Sequence, residues 1–300
     1  MPVAAERSGN LRIASLLPGA TEIVLALGLG DALVAVSHSC DFPGRVARLP
    51  RVTRTSLPLD APSRDIDTLV RASLARGESL YEVDADALDA LRPDLILTQE
   101  LCRVCAVGPA EVSRVLPVLH GAPTVLSLGP TTLKGVFLAI EQVGAATGRG
   151  RRAERLVAAC RRRVSAVAAR RRWGEPPRVT FLEWLDPLIC GGHWNPELVD
   201  LAGGVDGLGR PGAPSRMITW DELRAWRPEV LVAGCCGYSA ERTRRELASL
   251  RARLGAEELP CFRDGRVFPV DGKALFSRPG PSLVPSLELL AALVQDQWRD

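Results

Sequence analysis

Lysine, histidine and aromatic residues are all scarce in this sequence, and no long apolar run occurs in it. No stretch approaches the ~20 uninterrupted apolar residues that a membrane-spanning helix needs, so membrane insertion is not expected. There is no glycine-rich phosphate loop and no Ser/His/Asp pattern. Those are the usual marks of a nucleotide-dependent or hydrolytic enzyme, and the chain is expected not to be an enzyme. Net charge is only +3, too little to draw the whole chain to nucleic acid. The opening MPVAAERSGN lacks the basic start and apolar core of a secretion signal, and no lipobox-like cysteine lies near it. A cytoplasmic location is therefore the expectation, with a periplasmic or cell-surface one if the true start lies upstream. Eight cysteines at irregular spacing fit reduced thiols better than a disulfide scaffold.

What is present is a long alternation of short apolar runs and helical patterns. RIASLLP, LVAVSH, DLILTQ and TVLSL read as strands in the first half. Between them lie helices over ATEIVLALG, ADALDALRP and about 109–119. RVTFLEWL, EVLVAG and RVFPV are strands of the second half, with helices over NPELVDLAGG, WDELRAWRP and the closing PSLVPSLELLAALVQDQW. Strands alternating with helices imply parallel βαβ units. LDALRPDLIL from Leu88 resembles LRAWRPEVLV from Leu223, and EIVLALGLGD from Glu22 resembles ELVDLAGGVD from Glu197. The same order in each half predicts two related α/β lobes, residues 1–130 and 176–300, each with a central parallel sheet flanked by helices. The connector, 131–175, is predicted to be one long helix. Ala153, Leu156, Val157, Cys160, Val164 and Val167 make its apolar stripe. Ten arginines between Arg149 and Arg172 take the other face, which reads as a solvated surface.

In open α/β sheets ligands bind beyond the carboxyl ends of the strands, so the strand-end loops carry the functional reading. Thr21 or a neighbour is expected to cap the first helix and leave its N–H groups facing a cleft. The next strand ends in His38-Ser39-Cys40-Asp41. The third leads from Gln99 to Cys102-Arg103-Val104-Cys105. In the second half come Glu183-Trp184, Cys190-Gly191-Gly192-His193-Trp194, Cys235-Cys236-Gly237-Tyr238, and Phe276-Ser277-Arg278. Two of the three histidines and six of the eight cysteines fall in these loops. Each thiol taken alone reads as a small buried hydrophobe; their clustering suggests a site.

RIASLLPGATEIVLALG, PDLILTQ, GGHWNPELVDLAGG and RPGPSLVPSLELLA, in that order, resemble the cobalamin- and siderophore-binding proteins of ABC importers. The resemblance implies two α/β lobes, a bulky ligand in the cleft between them, and an ABC permease or a corrinoid-handling protein as partner. The family's acidic residue, seven positions before the Pro of each repeated unit, falls here on Asp86 and Asp221; it implies permease docking. Gln99 stands where a cobalamin binder can carry Trp. On this reading the ligand is cobalamin or another corrinoid, walled by Tyr81, Trp184, Trp194 and Phe276. Thr21, Gln99, Glu183 and Arg278 lie beside it, and His38 or His193 is in reach of cobalt. The alternative is a Cys/His site for zinc or an iron–sulfur cluster on the same fold, with His38, Cys40, Cys102 and Cys105 as ligands. A redox role for Cys102 and Cys105 and a protein-interaction role are further readings.

Overall fold

The computed structural model describes residues 11–101, 107–171, 174–254 and 258–295. Two sheets organise them. The first has the order β2-β1-β5-β6, from β1 (Ile13–Ser15), β2 (Leu33–Val36), β5 (Leu95–Gln99) and β6 (Thr124–Leu128), all parallel. β1 and β5 are buried throughout. That is why they read as continuous apolar runs, as strands covered on both faces do. Helices α1 (Pro18–Ala26), α3 (Ala85–Ala90) and α4 (Pro109–Val115) belong to this lobe.

The second sheet is mixed. β7 (Arg178–Leu185), β11 (Val230–Ala233) and β12 (Val267–Pro269) are parallel, and β9 (Val205–Asp206) adds to β7. β8 (Leu188–Cys190) returns antiparallel along β7 and pairs with β10 (Arg216–Met217). Around it lie α7 (Asn195–Leu201), α8 (Trp220–Trp226), α9 (Ala240–Leu254), α10 (Pro260–Arg263) and α11 (Leu283–Val294). The second lobe thus has the expected central parallel sheet in β7, β11 and β12, with the antiparallel β8 and β10 added at one edge.

The internal repeat has a backbone counterpart. α3 leads into β5 through Arg92-Pro93, and α8 leads into β11 through Arg227-Pro228. Both arginines are left-handed, with φ of 39° and 52°. A residue before proline is driven out of the right-handed helical region, so each helix ends there and its chain turns into the strand.

The connector is not one helix. α5 (Leu133–Ala146) ends at Thr147, Gly148 takes φ 69°, and α6 (Gly150–Ala168) starts again and packs against α5. A three-residue link between packed helices makes an αα-hairpin. α6 nevertheless reaches both lobes. Arg152 Nε donates to the Ala26 carbonyl at 3.3 Å, and Arg163 pairs with Glu288 of α11 at 2.6 Å. Its buried face, Ala153, Val157, Cys160 and Val167, joins a core that also holds Ile13 and Leu97 of the first sheet and Val179 and Phe181 of the second. The two lobes therefore share one apolar seam.

One segment crosses between the lobes. β3 (Thr53–Thr55) and β4 (Tyr81–Val83) pair antiparallel beside the first sheet, and α2 (Ser63–Ala75) lies between them in sequence. Ile66 and Val70 of α2, with Leu80, are buried among Leu182, Leu185 and Leu250 of the second lobe.

The hairpin of α5 and α6 supplies a test of the shared seam. A Cβ on Gly144 would lie 2.5 Å from that of Ala153. Gly144→Val should cost about 1–3 kcal/mol through overpacking, read as a lower urea midpoint. An unchanged midpoint would mean that the two helices are free to part.

Candidate functional site

Parallel strands place the cleft at the ends of β1, β2, β5 and β6 in one lobe and of β7, β11 and β12 in the other. α1 does not offer its N-terminus there. Its N-cap is Leu17, without a side-chain cap, and a Cβ on Gly19 would meet the Pro279 carbonyl at 2.7 Å. Thr21 sits inside the first turn, not at the cap. Its buried hydroxyl lies 2.8 Å from Ser15 Oγ and 3.1 Å from Cys40 Sγ. The expected capping role of Thr21 is corrected: proline at the first helical position moves the helix start ahead of it.

His38, after β2, is half-buried. Its Nδ1 is 2.8 Å from Thr53 Oγ1, and its ring stacks on Tyr81 at 5.5 Å. Burial, helped by the Arg51 charge, lowers its pKa, so the imidazole is neutral at physiological pH. Cys40 turns to other partners, the hydroxyls of Thr21 and Ser37, each 3.1 Å away.

Asp41 belongs to an ion cluster that joins the lobes. Arg278, only 3 % exposed, is hydrogen-bonded to Asp41, lies 3.7 Å from Glu22, and donates from Nε to the Lys273 carbonyl at 2.5 Å. Lys273 Nζ is 2.6 Å from Asp41. Burial works to raise the Asp41 pKa, but the bonds from Lys273 and Arg278 outweigh it and hold the group below its ordinary value. Burial wins at Glu22, whose pKa is raised despite Ser282 and Arg278. The Arg278 guanidinium, a candidate ligand contact by sequence, is committed to this cluster.

Gln99 ends β5 and is buried and already partnered. Cys102 and Cys105 lie outside the described residues.

In the second lobe Glu183 is part-buried, and its hydrogen-bond partners are neutral. Its Oε1 accepts from Asn195 Nδ2 at 2.6 Å and Gly192 N at 3.2 Å, and Oε2 accepts from Ser215 Oγ at 2.5 Å. Burial raises its pKa against these bonds. Trp184 packs on Tyr238 with the rings tilted by 49° and their centroids 4.9 Å apart, and donates from Nε1 to the carbonyls of Ser63 and Asp186.

His193 and Trp194 follow β8, which runs opposite to β7, so the strand-end rule does not carry them to the mouth of this sheet. Their loop turns to the start of α5 instead: Gly212 N donates to the His193 carbonyl, and a Cβ on Gly212 would lie 3.5 Å from Thr132. His193 has φ 52°, an unusual value for a residue with a side chain, and a buried Nδ1 with no partner among the described residues. Trp194 and Phe276 are 4 % and 1 % exposed; Trp194 Nε1 donates to the Phe276 carbonyl at 2.8 Å, and Phe276 packs on Phe181. Both are core side chains here, and of the four expected aromatic walls only Tyr81 and Trp184 keep partial exposure.

Among the described residues no group of three or more His, Cys, Asp and Glu side chains could hold a metal. Burial raises the pKa of Cys40 and Cys190 and pushes Cys235 and Cys261 up to about 12, so these thiols are protonated in the chain as described. Among the described residues no helix is long and apolar enough to cross a membrane.

Two lobes facing each other by their parallel strand ends make a cleft-type solute-binding scaffold. The model of the family described as "Periplasmic binding protein" matches residues 13–274, and the chain belongs to that family. It is 24% identical over 272 residues to the Vitamin B12-binding protein of Vibrio parahaemolyticus serotype O3:K6, covering 90% of this chain and 84% of that one. Among solved structures it is similar to the periplasmic vitamin B12 binding protein BtuF of Vibrio cholerae, with TM-score 0.69, 22% identity, and 96% and 98% of the two chains covered. It is equally similar to the periplasmic heme-binding protein RhuT from Roseiflexus sp. RS-1, with TM-score 0.71, 24% identity, and 96% and 99% covered. These structures establish the two-lobed fold. The cytoplasmic location expected from the first ten residues is overturned by the family match and by these periplasmic neighbours; a short polar opening is no guide to compartment.

The polar groups of the site given no role by sequence reasoning were Glu22, Asp41, Lys273 and Thr53; Glu22 and Asp41 stood in strand-end loops already singled out. Two predictions follow from their surroundings. Arg278→Met leaves Glu22 and Asp41 without their cation, and should cost about 3–5 kcal/mol, as breaking a buried pair does. Urea unfolding at pH 7 reads this, and a loss below about 1 kcal/mol would mean that water already solvates the cluster. Glu183 behaves oppositely with pH. Its native pKa is raised, so the native state holds the proton more tightly, and stability falls as pH rises from the unfolded value through the native one. Glu183→Gln should therefore gain on the parent in thermal midpoint between pH 4 and pH 8. Parallel pH profiles would contradict it.

Proposed function

We propose that the chain is a cobalamin-binding protein of the ABC-importer substrate-binding type, with the corrinoid held between the two lobes. The observation that carries this reading is the run of vitamin B12-binding relatives, the first of which matches 90% of the chain. The neutral, half-buried His38 on Tyr81 supports it, as a flat aromatic and imidazole surface beside the strand ends. Trp184 is the further candidate contact, followed by Gln99, His193, Thr21, Glu183 and Arg278 only if the packing around them rearranges. Trp194 and Phe276 back the site from the core.

Permease docking fits Asp86 and Asp221. Each is exposed in the first turn of a repeated helix, α3 or α8, that leads into a sheet strand. The acidic side chains are thus offered at equivalent places on the two lobes, outside the membrane that carries the permease. A second reading, heme as the ligand, is favoured by the heme-binding neighbours of the same fold. Zinc and iron–sulfur chemistry draw no support from the described thiols.

Calorimetric titration of the purified protein with cyanocobalamin, hemin, ATP and glucose tests the reading. Cyanocobalamin should bind saturably and most tightly, and His38→Ala should weaken it by about tenfold, or ~1.4 kcal/mol. Tighter binding of hemin would select the second reading. No heat with either tetrapyrrole would defeat both.

A further inference from the structure

The crossing segment, residues 57–80, is more than a surface decoration. It leaves the first lobe at β3 and returns to it at β4, tied there by Thr55 Oγ1 donating to the Leu80 carbonyl and by Ser79 Oγ donating to Glu111 of α4. Between those points it lies on the second lobe. Ile66, Val70 and Leu80 are buried against that lobe's core. Ser63 Oγ donates to Glu246 at 2.5 Å, and Arg64 pairs with Asp186 at 3.1 Å. Arg242 of α9 donates to the carbonyls of Leu59 and Ala61 while its guanidinium lies 3.6 Å over the Tyr238 ring.

We infer that residues 57–80 form an interlobe strap, seated on the Trp184–Tyr238 pair, which holds the cleft shut until it is lifted. Two observations favour a detachable seat over a permanent core. The Arg64–Asp186 pair and the bond from Arg242 to the Leu59 carbonyl are exposed, with the Arg64 side chain 66 % accessible, while the ties of Ser63 to Glu246 and of Arg242 to Ala61 are only part-buried. The seam is also imperfectly filled, leaving a small cavity lined by Pro62, Arg64, Leu185, Asp186 and Leu250. Because both ends of the strap are fixed in the first lobe, the lobes cannot hinge apart while its middle stays on the second. The strap further takes up Trp184 and Tyr238, aromatic side chains at the strand ends of β7 and β11. A planar ligand reaches them only when α2 has moved. The geometry of the strap stands by itself; its link to ligand uptake rests on the function proposed above.

The test uses the full chain and two strap variants, Arg64→Ala/Arg242→Ala and Ile66→Ser/Val70→Ser. Hydrogen exchange, small-angle X-ray scattering and stopped-flow mixing with cyanocobalamin are read on each. In the parent, α2 amides should be protected like those of α9. Both variants should speed α2 exchange by about tenfold or more, with β5 and β11 exchange unchanged as the control for folding. They should also raise the radius of gyration and the cyanocobalamin association rate. Fast α2 exchange in the parent, or variants with freed α2 amides but unaltered radius and association rate, would overturn the strap. If the parent binds no tetrapyrrole, the proposed function fails, while exchange and scattering still decide whether the strap closes the lobes.

Discussion

A guanidinium that is 3 % exposed must find its counter-charge inside the protein, and Arg278 finds it in the other lobe. An unpaired buried charge is far more costly than a paired one. The pairing with Glu22 and Asp41 therefore fixes the approach of the two sheets at one edge of the cleft. The loop carrying Arg278 continues into Pro279, whose carbonyl covers the start of α1, and then into α11, which completes the shared core with α6. The start of α1 and the loop carrying His38, three residues before Asp41, are thus held to the second lobe beside the shared apolar core.

The surroundings of the cleft are largely neutral in consequence. Burial lowers His38 and His193 and raises Glu183 and the buried thiols, so each of these groups is pushed to its uncharged form. Fixed charges at this edge are Arg278, Lys273 and Asp41, with Arg51 beside His38. Such a cleft is suited to a large ligand with much apolar area and a few polar contacts, the chemistry shared by corrinoids and heme.

Much of the fold was legible because local pattern and global position agree. The apolar runs at 13–15, 95–99 and 230–233 are central strands covered on both faces. The two Arg-Pro junctions mark the same helix-to-strand turn twice. What was hidden was direction and partner. The stripe on residues 153–167 says that a helix has a buried face, but not that the chain has just reversed at Gly148, although a glycine stop was there to be read. β8 is three apolar residues with no sign of running antiparallel, and that reversal displaced His193 and Trp194 from the mouth of the sheet. The helix over Ser63–Ala75 shows apolar residues at Ile66, Leu69, Val70 and Leu74, but the surface that buries Ile66 and Val70 comes from residues more than a hundred positions later. Within the site, His38 and Tyr81 could be suspected from strand ends, whereas the commitment of Arg278, Thr21 and Glu183 to internal bonds is a property of tertiary packing alone.

The central claim is that a corrinoid is held between these lobes. A crystal structure of the protein grown with cyanocobalamin tests it most directly. The ligand should lie between the ends of β2 and β5 on one side and of β7 and β11 on the other, touching His38 and Tyr81, with α2 displaced from Trp184. A ligand-free cleft at saturating cyanocobalamin, or a corrinoid bound on the outer faces of the lobes, would contradict it.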